Sequence, residues 1–80
     1  MWKRGVIGIP DGTGKYINCH YSVKYLENLG SRWTINKGKI SKLQIKIDDV
    51  VVCDYDLMWN IKPINKPAEQ AFEILLKEYN

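Results

Sequence analysis

The sequence predicts an α+β domain, a four-stranded antiparallel sheet (β-β-β-β-α) with one C-terminal helix packed on one face. Three observations carry this. Ile17, Cys19, Tyr21, Val23 and Tyr25 fall on alternate positions, with Asn18, His20, Ser22 and Lys24 between them. That is the period of a half-buried strand. Two further segments alternate in the same way around Asp48-Asp49. Finally, Ala68, Ala71, Phe72, Leu75, Leu76 and Tyr79 recur at helical spacing.

The elements follow in order. Trp2 to Ile9 reads as a first strand, weakened by Gly5 and Gly8. Pro10-Asp11-Gly12-Thr13-Gly14 is turn chemistry, so the second strand, Tyr16 to Leu26, pairs back as a hairpin. Glu27 to Gly38 has no period and reads as the variable or functional loop, pinned by Trp33 and Ile35. Lys39 to Ile47 and Val50 to Leu57 form the third and fourth strands about a tight Asp48-Asp49 turn. In the fourth, Val51, Cys53, Tyr55 and Leu57 share one side. Met58 to Pro67 reads as a connector, with Asn65 or Lys66 as helix cap and Pro67 in the first turn. The helix spans residues 67–79. Glu69 and Lys77 suit the two ends of its dipole. It is too short to stand alone and must pack on the sheet.

Sequential hairpins favour a meander. One helix cannot cover both faces of it. The uncovered face is expected to carry Tyr16, His20, Ile40, Val50, Val52, Asp54 and Asp56, a mixed surface suited to a dimer or a partner.

Eighty residues make one domain. A chain of this size buries roughly 60% of its unfolded surface, so dimerisation or partner binding would add useful stability. Twelve basic and nine acidic residues give a net charge of +3. The cations are scattered and ten of them are Lys, which suits solubility better than bidentate recognition. Cys19 and Cys53 both fall on apolar strand positions. They read as free buried thiols, with a bridge between neighbouring strands as the alternative. Neither a signal peptide nor an apolar run of spanning length is expected, and the cytoplasm is the default compartment.

No catalytic set, metal site or cofactor is expected. The run Gly8 to Lys15 fails as a phosphate loop. Five residues separate Gly8 from Gly14 where four are needed, and Tyr16 stands where Ser or Thr would hold magnesium. His20 could join Asp54 and Asp56 at a metal only if their strands were close. A pocket lined by His20 and Asp54 is what an enzyme reading would need. Asp54 and Asp56 share a face; such a pair does general acid/base work where burial splits the two pKa values, but paired surface carboxylates beside lysines are far commoner. Ser22, Ser31 and Ser41 would all need His20 as their one base.

Three Trp, five Tyr and one Phe are many for this length. Most serve as bulky core fillers, and Trp59 plugs the sheet–helix junction. Trp33 is the candidate exposed anchor. The leading reading is a non-enzymatic protein-binding module, with Tyr16, His20, Trp33, Ile40 and Val52 as contacts and Arg32 and Lys42 as a charged rim. Homodimerisation, through the uncovered face or a strand edge, is compatible with it. The alternative is nucleic-acid binding, with phosphate contacts from Lys24, Lys39, Lys42 and Lys46 and an aromatic stacking on a base. A structural part of a larger assembly is a further option.

Several blocks carry a resemblance. They are Tyr21-Ser22-Val23-Lys24-Tyr25, the run Ile35 to Leu43, Tyr55-Asp56 with Trp59, Ile61-Lys62-Pro63, and the run Ala71 to Asn80. In this order they resemble a family of very short, uncharacterised proteins of Gram-positive bacteria and their phages or prophages, over residues 16–80. In that family an Arg-Gly pair often stands between the Tyr-Asp and the Trp, and Asp often follows the Trp. Here those positions are Leu57, Met58 and Asn60, so a role carried by the charged pair would be lost. The resemblance implies no activity. It implies a setting of small interaction proteins, among them inhibitors of host defence systems.

Overall fold

A computed structural model describes residues 2–26 and 34–80. Strands β1 (Trp2–Pro10), β2 (Tyr16–Tyr25), β3 (Ile40–Ile47), β4 (Val50–Asp56) and β5 (Trp59–Ile61) precede helix α1 (Lys66–Tyr79), with a short 3-10 turn at Ile35–Lys37. The strands form one antiparallel sheet in the order β1-β2-β3-β4-β5, and α1 packs on one face. The meander and the covering helix agree with the sequence. The strand count does not: the expected connector contains β5, which pairs Trp59 with Tyr55 and Ile61 with Asp54. Three residues are too few to show a period of two.

The core lies between sheet and helix. Cys19 and Val23 of β2, Leu43 and Ile45 of β3 and Cys53 and Tyr55 of β4 meet Ala68, Ala71 and Leu75 of α1. Two alanines on that stripe let the helix sit close. Asn65 caps α1 by accepting from the Ala68 N–H at 2.9 Å, as its residue type favours. Trp59 stands edge-on between Tyr55 (5.1 Å) and Phe72 (5.3 Å), and so does plug the junction. Tyr79 stacks on Tyr25 at 5.2 Å.

Ile40 and Val52 are not on the uncovered face. Both are buried, at 0% and 3% exposure. The reason is two β-bulges. Lys24 pairs with Lys42 but Tyr25 with Ile40, so Ser41 is an extra residue in β3. Likewise Ile45 pairs with Cys53 but Lys46 with Val51, so Val52 is extra in β4. One inserted residue resets the alternation beyond it. Both freed carbonyls find donors: Leu57 N–H reaches Ser41 O, and Ile64 N–H reaches Val52 O, each at 3.1 Å. Leu57, expected inward, instead occupies the β4–β5 turn with φ 63° and is exposed.

The segment before β3 is tied down by one side chain. The Asn80 carboxamide oxygen accepts from the N–H groups of Lys39 (2.8 Å) and Ile40 (3.0 Å), and its nitrogen donates to Ile35 O (3.1 Å). A Cβ on Gly38 would run into this carboxamide, so the glycine is required by close approach. Ile35 is buried, as expected of a pin.

Candidate interaction face

The face opposite α1 is ordered by strand register. One cross-strand row reads Trp2, Lys24, Lys42, Asp56. The next reads Arg4, Ser22, Gln44, Asp54, Ile61. A third reads Val6, His20, Lys46, Val51. Farther along the hairpin come Gly8 with Asn18 and Pro10 with Tyr16. The first two rows border a shallow, open concavity of about 330 Å³ between Trp2 and Arg4 on one side and Asp54 and Asp56 on the other.

Charge is divided across this face. Lys42 Nζ lies 3.5 Å from Asp56 Oδ1, an exposed pair of small energetic value. Asn60, the extra residue of a third irregularity, donates to Asp54 Oδ2 at 3.1 Å. The acids therefore have local partners. Among the described residues, Arg4, Lys24 and Lys46 have none, and they lie across β1, β2 and β3. Trp2, Val6 and Tyr16 are 49%, 53% and 67% exposed on the same surface.

The register brings together Tyr16, His20, Lys24, Lys42 and Lys46 from the sequence-predicted residues. Lys39 precedes β3 and lies outside the paired register. Ile40 and Val52 are core residues, and Arg32 and Trp33 lie outside the described residues. Sequence reasoning missed Trp2, Arg4 and Val6. The alternation of β1 holds their signal: Ile7 and Ile9 point to the core, so even-numbered residues take the open face.

His20 sits between Val6 and Lys46, with β3 and a step of register between it and Asp54. Among the described residues no three His, Cys, Asp or Glu side chains gather into a metal-holding group. The cysteines are buried and unbridged. With β3 between their strands they stand two strand spacings apart, about 10 Å, beyond the roughly 7 Å a disulfide spans.

Burial, and then the charge of Asp54, pushes the Cys53 thiol from 9.0 up to about 12. Burial also raises Cys19. The folded protein thus retains thiol protons that the unfolded chain releases near pH 9, so stability is intact below pH 9 and falls as pH rises toward 12. The urea midpoint is expected to drop between pH 9 and 11, and to drop less in Cys53→Ala relative to that variant's neutral-pH value. Equal pH slopes for the two proteins would contradict the burial argument.

Among the described residues no helix is long and apolar enough to cross a membrane. No curated protein and no solved structure matches the chain. One family model does match, that of a domain of unknown function, DUF7678, over residues 1–80, and the chain belongs to that family.

Proposed function

We propose that the protein is a non-enzymatic interaction module of the cytoplasm that binds a protein partner through the open face of its sheet. The observation that supports this is the asymmetry of the two layers. Helix α1 covers one face and leaves Trp2, Val6 and Tyr16 exposed on the other, beside cations that have no local partner. Aromatic anchors with a basic rim are the make-up of a protein-binding surface. The resemblance of residues 16–80 adds a narrower form of the reading, a phage- or prophage-derived modulator or inhibitor of a host system.

The test is affinity capture from nuclease-treated lysate of a Gram-positive bacterium, using the wild-type chain and a Trp2→Ala/Tyr16→Ala variant. The expected result is one stoichiometric protein on the wild type, reduced about tenfold or more on the variant, which corresponds to about 1.4 kcal/mol of lost binding. Equal recovery on both would remove the open face from the reading.

One observation favours a second reading. Lys24, Lys42 and Lys46 share this face with Arg4, Trp2 and Tyr16, an arrangement able to hold phosphates and stack bases. Recovery of nucleic acid instead of protein, lost after nuclease or at about 0.5 M salt, would favour it.

A further inference from the structure

We infer that β1 pairs with β1 of a second copy of the chain, antiparallel and about a two-fold axis at Val6, joining two sheets into one. This goes beyond the open-face reading and stands whether or not that face holds a partner.

The two edges of the sheet differ. At one edge, β5 is three residues long. At the other, β1 runs for nine residues and pairs with β2 without a register shift. Exposed edges are normally guarded by short strands, bulges, charges or proline. On β1 the charges, Lys3 and Arg4, sit at one end and Pro10 at the other. Gly5-Val6-Ile7-Gly8-Ile9 between them carries no guard.

The direction of the backbone groups follows from the hairpin. Asp11 N–H donates to Lys15 O at 3.1 Å, one step beyond the Pro10–Tyr16 pair. Bonded pairs alternate along an antiparallel ladder. Lys3, Gly5, Ile7 and Ile9 therefore bond to β2, and Trp2, Arg4, Val6, Gly8 and Pro10 turn their groups outward. Pro10 fits this phase, since it has no N–H to leave unpaired. Among the described residues, no other element supplies a backbone bond to this edge.

The strand is also complementary to its own reverse. With Val6 on the axis, Arg4 lies opposite Gly8, Gly5 opposite Ile7, Lys3 opposite Ile9 and Trp2 opposite Pro10. No cation faces a cation, and the Trp2 ring meets a proline. Val6 is the one centre at which every residue of β1 finds a partner. An axis at Arg4 would set that residue against itself. Directly opposed residues point to the same side of a sheet, so the dimer merges the two open faces and places both helices behind them.

The test uses the full chain with Val6→Lys and Val6→Glu. Val6 is 53% exposed, so both variants fold, which a thermal melt verifies. At about 0.1 mM, a concentration suited to a micromolar dissociation constant, native mass measurement is expected to give twice 9.3 kDa for the wild type. Each variant alone is expected to weaken association about tenfold or more. An equimolar mixture of the two is expected to restore a mixed pair, because residue 6 faces residue 6 only in this register. Exchange of the Arg4, Val6 and Gly8 amides should be slow in the wild type and fast in Val6→Lys. A wild type of 9.3 kDa at that concentration overturns the inference. So does unimpaired pairing of either variant alone, a mixture that fails to pair, or a monomeric chain whose β1 edge captures a strand of some other protein.

Discussion

Val52→Asp is expected to unfold the domain, whereas Val50→Asp, two positions away, leaves it folded. Val52 is 3% exposed and packs in the core, while Val50 is 56% exposed. A carboxylate forced into that core without a partner costs several kcal/mol or protonates at similar expense. A domain of this length has only about 4–12 kcal/mol in total. At Val50 the change is a surface substitution, worth about 0.5 kcal/mol or less. Thermal melts followed by circular dichroism distinguish the two. A cooperative, near-wild-type melt for Val52→Asp would mean that residue 52 points outward, as unbroken alternation requires, and that the bulge is misplaced.

Asn80→Ala is expected to lower stability by about 2–3 kcal/mol, since it strands the N–H groups of Lys39 and Ile40 in a partly buried site, while Ile35 O keeps the Gly38 N–H at 2.8 Å. For a domain of this size that is roughly 10–20 °C in Tm. Asn80→Asp keeps the acceptor for Lys39 and Ile40 but sets a carboxylate oxygen against Ile35 O, so it recovers only part of the loss. The amides of Lys39 and Ile40 report the cause directly. If their hydrogen exchange is as slow in Asn80→Ala as in the wild type, something other than the carboxamide holds the segment.

What could be read in the sequence was whatever repeats or caps locally. The alternation of β2 is unbroken from Ile17 to Tyr25, so its inward and outward residues were correctly divided. Asp48-Asp49 closes its hairpin with both φ values positive (51° and 64°), a conformation Asp tolerates in a two-residue turn. Asn65 caps α1 as its type suggests. Bulges have no such signature. Ser41 and Val52 look like ordinary members of alternating runs, and only the pairing of two strands shows which residue is extra. Ile40 lies beyond the Ser41 bulge and Val52 is itself an inserted residue, which is why both left the candidate site. Tyr16, His20 and Lys24 stayed in it because β2 is regular there, and Lys42 and Lys46 because the segment between the Ser41 irregularity and the end of β3 keeps its phase.

The order of the strands has a kinetic meaning. Every strand pairs with its neighbour in sequence, and all but the β2–β3 link, which spans residues 26–39, close through short turns. Short closures cost little chain entropy and make for rapid folding. Helix α1 is different, because its core partners lie far back along the chain in β2 and β3. Its docking requires the long closure, with the Asn80 bonds to Ile35, Lys39 and Ile40 as the last latch. A meander that zips early and a lid that locks late are expected to place the barrier before helix docking, and slower folding of Asn80→Ala would contradict that order. Contacts of α1 then govern how long the native state survives more than how quickly it is reached.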